Sequence, residues 1–312
     1  MKLLRGPQPA SRPGSLTVVT VGNFDGVHLG HQHLMASLID YAKREALDTA
    51  VILFEPQPKE FFLGSDAPPR LSSLRDKVVA IRNLGIDWIW VQRFDDRLAT
   101  QAPETFARDS LVGTLRARHV VVGDDFRFGL KRRGDLSLLQ QIGNDLGFTA
   151  EGTGSFLEAD QRVSSTAVRE ALLRDDFATA ERLLGRPYSL SGKVIHGQHL
   201  GRELGFPTAN IAIGHRPRPV NGVYRVRVYG RDNGVAMNAI ANVGIKPSFA
   251  HLGPLLEVHL LDRTLDLYGQ PLTVEFIEKV RAAHKFNSLE ELQAQIQKDI
   301  TTVRAAFARP EE

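Results

Sequence analysis

The chain has 312 residues, length for about two domains at roughly 150 residues each, with room for a core in both. Hydrophobic residues make up 42% and charged residues 24%, which excludes a disordered, collagen-like or coiled-coil chain. The net charge is only +3 and no Lys/Arg block dominates any stretch, so no nucleic-acid partner is expected; the lack of cysteine removes disulfide scaffolds, thiolate metal sites and cysteine nucleophiles.

Met1 to Pro9 carries no apolar signal core, and no apolar run approaches the roughly 18 residues needed to span a bilayer, so a cytoplasmic protein with no membrane partner is expected. From Leu16 the pattern alternates: a strand over Leu16 to Val21, helical spacing over His31 to Ala46, and a strand over Ala50 to Phe54. It repeats through Asp76 to Leu84 (helix), Trp88 to Val91 (strand), Pro103 to Leu115 (helix), His119 to Val122 (strand) and Asp135 to Leu146 (helix). Such alternation predicts a doubly wound α/β fold whose buried parallel sheet carries helices on both faces, with the loops after Val21, Phe54 and Val122 facing one crevice. Helical spacing from Ser164 to Leu184, interrupted near Arg174 to Asp176, predicts two short helices. After Gly185 the texture changes to strands over Ser189 to Ile195, Gly222 to Tyr229, Val235 to Val243, Leu256 to Leu261 and Leu272 to Ile277, the pattern of a small all-β barrel. An amphipathic helix over Ser288 to Ala306 follows, with Ser288 as N-cap and Glu291 completing a capping box. The expected domains are residues 1–185 and 186–312.

The loop after the first strand, Gly22-Asn23-Phe24-Asp25-Gly26-Val27-His28-Leu29-Gly30-His31, runs straight into a helix. Its glycines permit tight turns and close backbone approach, and the helix N-terminus offers free N–H groups to phosphates. His28 and His31, three apart, can turn toward the same phosphates and stabilise charge developing on them. A metal site of His28, His31 and His33 is the competing arrangement, although His31 and His33 face different sides of a helix. In the β-rich half, Gly197, Gly201 and Gly205 make a run able to fold over a nucleotide. Thr208 and Asn210 alternate on one face of an extended segment, a hydroxyl and an amide suited to Mg²⁺ held with phosphates.

His28-Leu29-Gly30-His31 behind Phe24-Asp25-Gly26 resembles the HxGH signature of the nucleotidylyltransferase superfamily, in the form used by bacterial bifunctional riboflavin kinase/FMN adenylyltransferases. Val122 to Gly129 resembles the family's second loop, Ser164-Ser165-Thr166-Ala167-Val168-Arg169 its SSTxIR segment, and Gly201 to Asn210 its riboflavin kinase string GRxLGFPTAN. The resemblance implies a Rossmann-like nucleotidylyltransferase domain, then an all-β riboflavin kinase barrel and a helix. It implies phosphorylation of riboflavin to FMN in the C-terminal half and adenylylation of FMN to FAD in the N-terminal half, with ATP as co-substrate and Mg²⁺ as cofactor. His28 and His31 become catalytic, and Gly22, Phe24, Asp25, Gly30, Asp125, Ser164, Ser165, Thr166 and Arg169 nucleotide-binding. In the barrel, Glu257 becomes the catalytic carboxylate, Gly197, Gly201, Arg202 and Gly205 bind ATP, Thr208 and Asn210 hold the metal, and Asn242, Arg281 and Phe286 hold the flavin.

From spacing alone, Asp125 is equally a turn residue, Ser164 and Ser165 are helix caps, and Glu257 is a strand residue on the wet face. The chain departs from the family at Gln57, where a histidine is frequent, at Arg263 and Ser248, and at Ala283, where an acidic residue is usual. Two rival readings are an enzyme with one live activity and a flavin-sensing regulator with a nucleic-acid face; the intact histidine motif opposes the first and the balanced charge the second. Nothing in the sequence sets an oligomeric state.

Overall fold

The structure, a computed structural model, describes all residues except 7, 8, 10, 198–200, 202–203, 231–233, 245–252, 262, 264 and 310–312. By contacts it divides into two compact units, Met1–Pro68 with Leu74–Ser164, and Pro69–Ser73 with Ser165–Glu312.

The first unit holds a six-stranded parallel sheet of β1 (Lys2–Arg5), β2 (Thr17–Val21), β3 (Asp48–Glu55), β4 (Trp88–Arg93), β5 (Ala117–Gly123) and β6 (Thr149–Thr153), in the order β1-β4-β3-β2-β5-β6. Successive residues of a strand point to opposite faces, and here both faces are covered. Val19 and Ile52 join one core cluster while their neighbours Val18 and Val51 join the other. That is why β2 to β5 read as continuous apolar runs. The helices are α1 (Leu29–Glu45), α2 (Pro58–Leu63), α3 (Leu74–Asn83), α4 (Asp96–Ala99), α5 (Pro103–Phe106) and α6 (Leu136–Leu146). A two-stranded hairpin, β7 (Leu157–Glu158) and β8 (Gln161–Arg162), follows the sheet. The strand order reverses at β2, so the loops after β2 and β5 leave the same end of neighbouring strands, the position at which such sheets bind ligands.

The second unit begins with α7 (Ser165–Leu173) and α8 (Phe177–Leu184). A closed antiparallel barrel follows, built from β9 (Ser189–Ile195), β10 (Ala209–Ala212), β11 (Gly222–Tyr229), β12 (Met237–Gly244), β13 (Leu255–Leu260) and β14 (Pro271–Arg281), in the order β10-β13-β12-β11-β14-β9. The last helix, α9 (Leu289–Phe307), lays Ile300 and Val303 against Val223, Ile240 and Leu261 of the barrel surface. Polar clamps fix it along its length: Asp299 accepts from Arg281, Arg304 donates to the Leu261 carbonyl, and Arg225 donates to the Ala306 carbonyl.

Several elements escape periodicity. β1 buries only Leu4, β6 reads Thr-Ala-Glu-Gly-Thr with no apolar alternation, and β10 is four residues long. The helix expected over Pro103 to Leu115 widens to π-helical turns over Ala107–Thr114. Glu291 departs slightly from the capping box: Ser288 accepts its N–H, but its carboxylate accepts from Asn287, one residue upstream of the N-cap. The contact division falls after Ser164, ahead of α7 and α8, whereas the sequence change falls at Gly185. The reason is packing: Phe177 of α8 stacks on Phe276 and meets Tyr224 edge-on, and Asp175 accepts from Lys279 of β14 at 2.9 Å.

Asp176 caps α8 by accepting the Thr179 N–H at 2.9 Å, and that bond lowers its carboxyl pKa below the usual value. A lowered folded pKa contributes stability above the unfolded value and loses it as pH falls through the folded one. Asp176→Ala should therefore cost about 1 kcal/mol at pH 7 and progressively less below pH 4. Denaturation midpoints of both proteins at pH 7 and pH 3 check this.

Candidate functional site

The loop from β2 to α1 is tightly wound. Phe24, Gly26 and Val27 all have positive φ, at 45°, 82° and 44°, and Val27 donates its N–H to the Phe24 carbonyl to close a turn. A β-branched residue in that region is strained, and strain of this kind is held only where the surroundings enforce it. The enforcing contact is the Phe24 ring, buried in the core beneath Gly22, whose missing side chain would meet it at 2.9 Å. Phe24 is thus a support for the loop, with 4% of its surface exposed. Asp25 is buried in the same turn.

His28 is the N-cap of α1: its Nδ1 accepts the His31 N–H, so that nitrogen is unprotonated and the ring's own N–H sits on Nε2. The two imidazoles stack with centroids 3.5 Å apart, and Phe24 meets His31 edge-on at 5.1 Å. A Cβ at residue 30 would stand 3.3 Å from both the His28 ring and the Val163 carbonyl, so glycine there lets the helix start close to both. His33 is exposed and lies against Phe156, away from the stacked pair. Among the described residues no group of three His, Cys, Asp or Glu side chains is placed to hold a metal ion, which disposes of the three-histidine arrangement.

Asp125, just past β5, is exposed and paired with Arg162 of β8; Asp124 beside it accepts from Ser155. Ser164 directly follows Val163 and precedes α7, whose first two residues are Ser165 and Thr166. Arg169, one turn on, donates its Nε to the Pro69 carbonyl at 2.7 Å. Gln57 is buried at the start of α2; its N–H donates to Glu60, and among the described residues its side-chain Nε2 has no partner.

The barrel carries a cavity of about 640 Å³ on which most of the second set of candidates converges: Gly201, Thr208, Asn210, Asn242, Glu257, Arg281 and Phe286 all line it. Strand register explains the convergence. Glu257 on β13 is directly opposite Asn210 of β10 on one side and Asn242 of β12 on the other, so three polar side chains form one row across three strands. Asn242 donates its amide to Glu257 Oε2 at 3.3 Å. One row along, His259 shares the face of Glu257, and its Nδ1 meets the Pro207 carbonyl at 2.9 Å, tethering the segment that bears Thr208. Arg281 reaches the cavity because β14 skips Ile277 and Val280 in its pairing with β11, and such bulges re-aim the residues that follow. Asn221 of the rim donates its N–H to the oxygen of Tyr224, a phenol that burial pushes up to about 12.

Thr208 and Asn210 lie under the glycine run. A Cβ at Gly197 would fall 2.2 Å from the Asn210 amide, and one at Gly201 would fall 3.0 Å from the Thr208 hydroxyl. Gly205 has φ +87°. A hydroxyl and an amide are neutral hard donors, so a cation here needs phosphate oxygens to complete and neutralise its shell; that fits Mg²⁺ carried with a nucleotide and does not fit a resident zinc. Arg202, Ser248 and Asp262 lie outside the described residues.

The lining also includes His259, Tyr268 and Asp299, which the sequence reading did not name as site residues. His259 was findable from its i+2 spacing to Glu257. Tyr268, stacked on His196 at 4.2 Å, lies in Asp266-Leu267-Tyr268-Gly269, a segment that resembles the family, whereas Asp299, from the distant α9, carries no local signal.

Comparison with known proteins accounts for both halves. The family model for FAD synthetase matches residues 12–167, and that for riboflavin kinase matches residues 184–307. Proteins described as bifunctional riboflavin kinase/FMN adenylyltransferase are similar over nearly their whole length: that of Haemophilus influenzae is 45% identical, covering 98% of this chain and 99% of its own. The Escherichia coli K12 protein is 46% identical with 98% coverage of each, and the Pseudomonas fluorescens protein 43% identical with 99% and 98%. A crystal structure from Streptococcus pneumoniae, described as a macrolide-efflux protein, shares 27% identity and superposes with a TM-score of 0.75 over 94% of this chain and 95% of that one. No described helix of the present chain is long and apolar enough to cross a membrane. The chain belongs to the bifunctional riboflavin kinase/FMN adenylyltransferase family, its FAD synthetase half N-terminal and its riboflavin kinase half C-terminal.

Proposed function

We propose that residues 186–312 transfer the γ-phosphoryl group of ATP to the primary hydroxyl of riboflavin, giving FMN and ADP. Residues 1–185 then transfer AMP from a second ATP to FMN, giving FAD and pyrophosphate. The use of ATP supports a cytoplasmic setting. The observation that carries the reading is the row Asn210, Glu257, Asn242, because it sets a carboxylate beside candidate phosphate-side and flavin-side amides on one cavity wall.

An alcohol is a poor nucleophile until it loses its proton, and Glu257 accepts that proton as the oxygen attacks. The Asn242 amide orients the carboxylate, and the glycine run over Thr208 and Asn210 leaves room for phosphates. When bound, Mg²⁺ neutralises phosphate charge, and Thr208 and Asn210 are the residues that would hold it.

Adenylyl transfer needs no base, since the phosphate of FMN is already an oxyanion. What it needs is stabilisation of charge on the α-phosphate and on departing pyrophosphate. The His28 Nε2–H, the stacked His31 ring and the first N–H groups of α1 are donors suited to that task. Gly22, Asp25 and Gly30 shape the loop around the nucleotide, with Phe24 beneath it. Family likeness carries Asp125, Ser164, Ser165, Thr166 and Arg169 to the nucleotide, and Gly205 and Arg202 to the ATP of the kinase half.

His31→Ala should slow adenylyl transfer on the order of 100-fold or more, leaving a protein that converts riboflavin to FMN and stops. Glu257→Gln keeps size and hydrogen bonding but loses the basic carboxylate, so kinase turnover should fall on the order of 100-fold while supplied FMN still becomes FAD. Product chromatography, with circular dichroism to establish folding, checks both; either variant blocking the other step overturns the division of chemistry. Treatment with EDTA should abolish both activities, and Mg²⁺ should restore them. Restoration by Zn²⁺ alone would contradict the oxygen-donor assignment.

A further inference from the structure

Asp299 is set seven residues along α9 from Leu292 and three from Ile296, and all three line the barrel cavity. It is a buried carboxylate, 4% exposed, on the helix face that carries Ile296, Ile300 and Val303 into an apolar cluster. Both oxygens are engaged: Oδ2 accepts from Arg281 Nε at 2.8 Å, and Oδ1 accepts from Gln295 Nε2 at 2.7 Å. Arg281 is held on two further sides, since its Nη1 donates to the Ala282 carbonyl at 3.1 Å and its guanidinium lies 5.5 Å from the centre of the Phe286 ring. Among the described residues nothing takes the Nη2 edge of this cavity-lining guanidinium.

A buried ion pair is a poor device for stability, because apolar side chains of similar volume serve as well or better. What it does supply is a fixed direction. A free arginine spreads over many rotamers, and ordering one on ligand arrival costs affinity. Here the ordering is done beforehand by α9.

We propose that Asp299 is a positioning residue for the flavin: it braces Arg281 so that the Nη2 edge meets the carbonyl acceptors of the isoalloxazine ring, while the ring of Phe286 backs the guanidinium. The proposal rests on the reading of this cavity as the riboflavin site. It makes the C-terminal helix a determinant of flavin affinity and leaves the handling of ATP to the glycine run and the row around Glu257.

The test is Asp299→Asn in the full chain, with riboflavin affinity read by quenching of flavin fluorescence and the KM for ATP read in kinase turnover. Losing one charge-assisted hydrogen bond should weaken riboflavin binding at least about 10-fold. The KM for ATP and adenylylation of supplied FMN should stay within about twofold of wild type, on the view that only the guanidinium edge changes. Arg281→Ala should show the same loss, and adding Asp299→Asn to it should cause no further one. Unchanged riboflavin affinity, additive losses in the double variant, or a parallel rise in the KM for ATP would each overturn the proposal. Should Asp299→Asn reduce the folded fraction, Arg281→Lys asks the same question, because lysine keeps the charge and lacks the Nε bond to Asp299. A wild-type protein that neither binds riboflavin nor makes FMN would instead overturn the reading of the cavity.

Discussion

Glu257 stands where three antiparallel strands are in register, with Asn210 opposite it on β10 and Asn242 opposite it on β12. A slip of one residue in either pairing would turn an amide to the other face of the sheet, because side chains alternate with period two. The apolar alternation of β13, with Leu256, Val258 and Leu260 buried, fixes that register from the inside. The same packing that closes the barrel therefore delivers the carboxylate and its neighbours to one wall of the cavity. The bulges of β14 add Arg281 to that wall, and α9 covers its far side.

In the parallel sheet the constraint works differently. Both faces of the central strands β2, β3 and β4 are buried, so their side chains are largely closed to a ligand and a site is left to the strand ends. The loop after β2 meets this demand by folding back on itself. Phe24 fills the space under Gly22, Val27 accepts a left-handed backbone, and His28 spends its Nδ1 on the first turn of α1. Each feature limits the freedom of the stacked histidines. If the histidines are the donors proposed above, they are preorganised, and no reorganisation is needed when charge develops.

How much of this the sequence disclosed follows from how local each signal is. The strands β2 to β5, β9 and β11 to β14 announce themselves by runs or alternation of apolar residues, and the histidine pair and the glycine run over Thr208 and Asn210 are contiguous motifs. β1 and β6 could not be read, since one buries a single leucine and the other is mostly polar. The π-helical turns leave the composition of an ordinary helix unchanged. Asp299 was invisible for another reason: its partner, Arg281, is 18 residues away and becomes a partner only after the bulges and the docking of α9. The helical pair α7 and α8 shows the same limit, as the ring of Phe177 finds Phe276 about a hundred residues downstream.

In the proposed reading the two halves also differ in the charge they bring to the phosphate, and the acceptors explain why. An alcohol must surrender a proton, which Glu257 is proposed to accept; on the candidate phosphate side its neighbours are neutral, the Thr208 hydroxyl, the Asn210 amide and the glycine run, while the charged Arg281 and Asp299 line the cavity elsewhere. An unpaired second carboxylate would repel a triphosphate, and the other carboxylate of the cavity, Asp299, is paired with Arg281. A phosphate acceptor arrives deprotonated, so in the same proposal the sheet unit needs donors instead, a role assigned to the N-terminus of a seventeen-residue helix and two imidazoles. Asp25, the acid of that loop, and His28, the N-cap of α1, are both buried, and His31, on the first turn of the helix, is half-buried. In that proposal a carboxylate base stands where the alcohol proton must go and hydrogen-bond donors stand where the departing pyrophosphate gathers charge, which is what the two different acceptors require.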